Sequence, residues 1–124
     1  MSIDLKYDPK SGILYATIGE HISQSEFSDA LEKITHSVEY PPDVKVLWDA
    51  RSARSAQGDD NAVMRFIGIR KIFPDRGNTK IAIVVSSDFS FGMARMYELF
   101  SANLPQSIMV FKSIPEAEQW LVNP

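Results

Sequence analysis

The sequence predicts an α/β fold, one domain over residues 1–124, with a mixed sheet of about five strands and about four helices. Three observations carry this. Three short apolar runs, VKVLWDA from Val44, KIAIVVS from Lys80 and SIMVFKS from Ser107, each pass through a polar joint into a helical pattern. Two alternating stretches ahead of them flank a Pro and Gly turn, the mark of an opening hairpin. The 44% hydrophobic content supplies one continuous core, and no long linker, repeat or low-complexity tract divides the chain.

Ile3 to Tyr7 alternates apolar and polar, Asp8-Pro9-Lys10-Ser11-Gly12 is turn chemistry, and Ile13 to Ile18 resumes as a strand. The first helix is the best signalled element. Ser23 and Glu26 have capping-box spacing, and Ile22 and Phe27 stand at the two positions of a hydrophobic staple. Phe27, Ala30, Leu31, Ile34 and Val38 fall on one face, and Tyr40-Pro41-Pro42-Asp43 is expected to end the helix, because Pro42 cannot continue it.

Val44 to Trp48 is a nearly continuous apolar strand closing on Asp49. The polar loop Ala50 to Gly58 then leads to a second helix, capped by Asp59 or Asp60, with Val63, Phe66, Ile67, Ile69, Ile72 and Phe73 over a wide arc. Pro74 to Asn78 stops it. Ile81 to Val85 has no polar alternation, which predicts the most buried strand of the sheet. Ser86-Ser87-Asp88 opens a third helix from about Phe91 to Asn103, with Met93, Met96, Tyr97, Phe100 and Leu104 on its apolar face, and Pro105 beyond. Ile108 to Phe111 is the last strand. Ser113 and Glu116 repeat the capping-box spacing before a short helix lined by Ile114, Ala117 and Leu121, with Trp120 beside them. Neighbouring parallel strands are expected to connect by right-handed crossovers, with the hairpin as an antiparallel edge.

Composition narrows the function. Cysteine is absent, which removes disulfides, thiolate metal sites and thiol nucleophiles. The start, MSIDLKYDPK, has no apolar leader core and no run is long enough to cross a bilayer, so a cytoplasmic protein without stable membrane insertion is expected. A net charge of −3 argues against nucleic acid as a partner. The charge is uneven, however. Arg51 to Lys80 holds seven basic and three acidic residues, against six and thirteen elsewhere, a bias that suits either an anionic partner or the solvated face of a helix.

Ligands of open α/β sheets gather beyond the carboxyl ends of the strands, here the joints after Asp49, Ser86 and Lys112. His21 and His36 flank the first helix, with no second histidine at ligand spacing, and a histidine in a last helical turn is accounted for by the helix dipole. Nucleotide-loop, zinc-protease and nucleophile-elbow patterns are all missing. No cofactor, metal or catalytic residue is therefore assigned. Asp49, Ser86, Ser87 and Lys112 together resemble the phosphorylation site of response-regulator receiver domains. That site also needs an acidic metal-binding pair after the first strand, where this chain has only Asp4 in an edge strand and Asp8 in a turn.

The chain as a whole resembles the STAS and SpoIIAA-like families of small α/β domains. The segments Asp88-Phe89-Ser90-Phe91-Gly92-Met93-Ala94-Arg95-Met96 and Val110-Phe111-Lys112-Ser113, followed by Glu116-Ala117 and Trp120-Leu121, are similar to the uncharacterised bacterial SpoIIAA-like branch. The resemblance implies a regulatory or binding module rather than an enzyme. In the anti-anti-sigma members the third strand leads to Asp-Ser-Ser/Thr-Gly, whose hydroxyl residue is phosphorylated by a partner kinase. Asp49 matches that aspartate, but Ala50-Arg51-Ser52-Ala53-Arg54-Ser55 replaces the rest, leaving Ser52 and Ser55 as substitutes. A phosphate at that helix start would meet Arg51 and Arg54.

The expected site is thus Asp49, Arg51, Ser52, Arg54 and Ser55 after the third strand, with Ser86, Ser87, Asp88 and Phe91 after the fourth. Its expected partner is a protein or a small anionic or apolar ligand. Phe66, Arg70, Met93, Met96 and Tyr97 are set apart as a pocket or a homodimer face, beside the alternative that these apolar residues are core packing. Two other readings stay open: a phosphoacceptor domain using Asp49, and a carrier of a small apolar ligand such as a lipid.

Overall fold

Leu14 and Ala16 lie under one layer of the protein while Ile13 and Tyr15 lie under another, and this two-residue alternation organises the whole structure. The computed structural model describes residues 3–19, 24–41, 43–52, 80–86 and 107–123, together with Gly92, Arg95 and Leu99. Five strands, β1 (Ile3–Asp8), β2 (Ile13–Ile18), β3 (Lys45–Asp49), β4 (Lys80–Val84) and β5 (Ser107–Phe111), form one sheet in chain order. β1 and β2 pair antiparallel; β2 to β5 are all parallel. Helix α1 (Gln24–His36) follows β2, and helix α2 (Ile114–Val122) follows β5.

The hairpin forms as its residue types require. Gly12 adopts φ +74°, a value that strains any residue with a Cβ, and donates its N–H to the Asp8 carbonyl at 2.9 Å. The Asp8 carboxylate accepts from the Lys10 N–H at 3.1 Å and the Ser11 hydroxyl at 2.9 Å, which holds its carboxyl below the usual carboxylate range.

Each face of the sheet has its own core. On one, Phe27, Ala30 and Ile34 of α1 pack over Leu14, Ala16, Val46 and Trp48, with the Phe27 and Trp48 ring centres 5.5 Å apart. On the other, Ala117 and Leu121 of α2 cover Ile13, Leu47, Ala82 and Val84. Val46, Leu47 and Trp48 are buried in succession, so β3, in the middle of the sheet, is the most continuously buried strand. This corrects the expectation for β4, where Ala82 and Val84 are buried but Ile81 and Ile83 only half so. Position in the sheet outweighs the hydropathy of the run.

A second correction concerns the end of α1, which stops at His36 and not at the prolines. The Ser37 hydroxyl accepts from the Glu39 N–H at 3.1 Å, a local bond that competes with helical continuation. Val38, expected on the apolar face, is 98% exposed, and Tyr40 is buried instead, 5.7 Å from the Tyr7 ring. Ser23 and Ile22, and with them the expected cap and staple, lie outside the described residues, although α1 begins at Gln24, where a Ser23 cap would start it. Ser23→Ala is expected to lower stability by about 1 kcal/mol. An unchanged denaturation midpoint would show that no cap is formed there.

The cap of α2 is directly visible. Ser113 is extended, and its hydroxyl accepts from the Glu116 N–H at 3.4 Å, with Pro115 in the first turn. Of the other two expected helices, residues 59–73 lie outside the described residues. In the third, Gly92, Arg95 and Leu99 are helical and exposed, at the spacing of one helix face and off the expected apolar stripe.

Two polar side chains of the sheet, Tyr15 and Lys80, help to seat α2. The Tyr15 hydroxyl donates to the Glu118 carboxylate at 2.5 Å, and the Lys80 ammonium donates to the carbonyls of Trp120 and Asn123 at 2.9 and 2.6 Å. Partial burial and then the Glu118 acceptor push the Tyr15 phenol from 10.0 up to about 12. A folded value above the unfolded one means that this contribution is intact below pH 10.0 and is lost as pH rises towards about 12. Phenolate absorbance should therefore show a late-titrating tyrosine that is missing in Tyr15→Phe. A native protein whose tyrosines all titrate near the ordinary value would contradict the contact.

Candidate functional site

The parallel register sets Thr17, Asp49, Val84 and Phe111 in one row across the carboxyl ends of β2 to β5. α2 starts just beyond this row, after its N-cap Ser113. Val85 and Val110 are buried beneath the edge with Ala50 and Ile83 packed against them, so the residues that follow emerge from a fixed base.

Backbone bonds carry the strand pairing past the last ladder residues. The Ala50 N–H donates to the Val84 carbonyl at 2.8 Å, and the Val85 N–H to the Phe111 carbonyl at 2.9 Å. Arg51 then folds back on Asp49. Its Nε donates to Oδ1 at 2.9 Å, its Nη2 to Oδ2 at 3.0 Å, and its backbone N–H to Oδ1 at 3.2 Å. The Ser86 hydroxyl donates to the Arg51 carbonyl at 3.0 Å, which joins the loop after β4 to the loop after β3.

The electrostatics follow from this geometry. Hydrogen bonding by Arg51 holds the Asp49 carboxyl below the ordinary carboxylate range, outweighing the partial burial that would raise it. Asp49 in turn pushes the Arg51 guanidinium further up. The arginine side chain is 52% exposed and the aspartate 18%. A guanidinium has five N–H donors, and among the described residues only Nε and one Nη2 donor are engaged, which leaves the rest of its fork to an acceptor from outside. Both Asp49 oxygens, by contrast, are already accepting.

The structure thus brings together three of the expected residues, Asp49, Arg51 and Ser86, and places Ser52 as an exposed turn residue beside them. Arg54, Ser55, Ser87, Asp88 and Phe91 lie outside the described residues, as do Phe66, Arg70, Met93, Met96 and Tyr97. Lys112 is exposed at the end of β5, two strands from Asp49 and hence about 10 Å away across the sheet. Among the described residues no group of three or more acidic or histidine side chains could hold a metal ion, and no helix is long and apolar enough to cross a membrane.

Thr17 is the edge residue that the sequence reading missed. Taking the hairpin as a peripheral unit hides the fact that β2 also runs parallel to β3, which sets Thr17 opposite Asp49. A signal was present, because the helix between β2 and β3 is the crossover that parallel neighbours require. Lys80 was also read differently, as part of a basic segment. Its charge is spent on the carboxyl end of α2, and that of Arg51 on Asp49, so two of the seven positive charges of that segment have partners within the fold.

No protein-family model matches the chain, and no curated protein matches it. Among solved structures it is similar to that of an uncharacterized protein of the DUF3478 family, with a SpoIIAA-like fold, from Shewanella loihica PV-4. The TM-score is 0.65 at 13% sequence identity, over 96% of this chain and 91% of that one. Identity this low speaks for architecture alone. With its opening hairpin, parallel strands and α2 returning across the sheet, the chain is an α/β domain of SpoIIAA-like fold.

Proposed function

We propose that this domain is a non-catalytic, cytoplasmic binding module of regulatory type, and that it engages a protein partner through the edge formed by the loops after β3 and β4. The observation that carries the reading is the tie from Ser86 through the Arg51 carbonyl to the Arg51–Asp49 pair. It links two loops that leave different strands, and it holds the guanidinium half exposed in one orientation. A prearranged guanidinium of this kind, paired with Asp49 on one side of its fork, loses little side-chain freedom when a carboxylate or phosphate of the partner accepts from its remaining N–H groups. Engagement of both Asp49 oxygens supports recognition over phosphoryl transfer, which would need that carboxylate free to attack.

The test compares the native protein with Arg51→Glu and Ser86→Ala. The native domain should retain a specific partner from extracts of its own cells, Arg51→Glu should lose it by more than tenfold, and Ser86→Ala should weaken it less. All three should keep the native circular dichroism spectrum, since the exposed ion pair contributes less than about 1 kcal/mol to stability. Equal retention by native protein and Arg51→Glu would reject this edge as the contact surface. Incubation with acetyl phosphate and magnesium is expected to leave the mass unchanged, and a mass increase abolished by Asp49→Asn would replace the binding reading with the phosphoacceptor one.

A further inference from the structure

The row that holds Asp49 continues past the site onto the hairpin. Asp4 of β1 pairs with Thr17 of β2, and Thr17 with Asp49 of β3, so the three stand side by side on neighbouring strands. Residues paired in register point to one face of a sheet, and alternation along β3 puts Asp49 on the face of Leu47, the one that α2 covers. α2 packs chiefly over β3, β4 and β5. At the hairpin end of the row Asp4 and Thr17 are exposed, whereas Ile3 and Ala16, next to them in the chain and on the opposite face, are buried.

Arg51 is held on the same face as this row, because its Nε and Nη2 both donate to Asp49. The row therefore offers a guanidinium at one end and a carboxylate at the other. Two interstrand steps separate Asp4 from Asp49, about 10 Å. The short, uncharged side chain of Thr17 leaves the passage between them clear. Among the described residues Asp4 forms no ion pair, although Lys6 shares its face one pleat further along β1.

Taking Arg51 as the contact proposed above, we infer that the partner lays along this row a segment that is itself bipolar. It places a carboxylate or phosphate on Arg51 and, about 10 Å away, a basic side chain on Asp4. A purely acidic segment would be attracted at Arg51 and repelled at Asp4, and a purely basic one the reverse. Only a segment carrying both charges, in that order, is attracted at both ends. The row thus selects the direction in which the partner lies as well as its charge, and it extends the contact surface from the loop after β3 towards β1.

Three blocked tetrapeptides test this: Glu-Ala-Ala-Lys, Glu-Ala-Ala-Glu and Lys-Ala-Ala-Lys, whose end residues stand about 10 Å apart when extended. Titrated into isotope-labelled native protein at low salt, Glu-Ala-Ala-Lys should bind about threefold more tightly than either of the others and move the amide resonances of Asp4, Thr17 and Arg51 together. Asp4→Lys should transfer the preference to Glu-Ala-Ala-Glu, and Arg51→Glu should transfer it to Lys-Ala-Ala-Lys. At about 1 M salt, where charges are screened beyond about 3 Å, the three peptides should become equal. The exchanges of preference also control for folding, since an unfolded variant would lose all three alike. If Arg51 responds equally to both peptides that contain glutamate, and Asp4 and Thr17 respond to neither, the bipolar row is overturned while the Arg51 contact stands. If no peptide moves Arg51, that contact fails and the row with it.

Discussion

Leu47→Ala is expected to destabilise the protein by about 2–5 kcal/mol, the range for deleting a fully buried leucine side chain. Leu47 has no exposed surface. It sits mid-strand in β3, between Tyr15 of β2 and Ala82 of β4, in the core that Ala117 and Leu121 of α2 close. Alanine at this position leaves a cavity that neither the two flanking strands nor the helix can fill without breaking register. In urea denaturation the midpoint should fall with the slope unchanged, while Val38→Ala, on a 98% exposed side chain, should stay within about 0.5 kcal/mol of the native protein. A shift for Leu47→Ala as small as that for Val38→Ala would mean that α2 is not seated on β3.

Lys80→Met should have the next largest effect, about 1–2 kcal/mol. A hydrogen bond from a charged donor contributes roughly 1.5–3 kcal/mol when sheltered, and part of this one is open to solvent. The ammonium of Lys80 satisfies two carbonyls at the end of α2, Trp120 at 2.9 Å and Asn123 at 2.6 Å, and lies 5.0 Å from the centre of the Trp120 ring. Methionine preserves the length and apolar stem of the side chain, so the loss isolates the ammonium. Amide exchange should accelerate in the last turn of α2, and the Trp120 indole resonance should shift, while that of Trp48, buried on the opposite face, stays in place. Unchanged exchange at Asn123 would show that the helix end holds without the lysine.

Most of the architecture was legible because it rests on local rules. The hairpin turn from Asp8 to Gly12, the Ser113 cap and all five strands, displaced by no more than a residue or two at their ends, follow from side-chain periodicity and turn chemistry. The joint after Asp49 was likewise legible as a polar joint at a strand end, since strand ends in open sheets collect polar residues. Its internal arrangement was not. Nothing in Asp49-Ala50-Arg51 says that the arginine turns back on the aspartate, or that Ser86, thirty-five positions further on, closes the link to its carbonyl.

What the sequence determines by itself is the five strands with their two-faced alternation and the α1 and α2 helices, because these depend on residues only a few positions apart. What the tertiary structure decides is partnership. Lys80 becomes the closure of α2, Tyr15 the partner of Glu118, and Thr17 a neighbour of Asp49. These contacts join positions 32 to 103 residues apart, and one charge or hydroxyl fits many partners equally well along a chain. Only the order and register of the strands select among them.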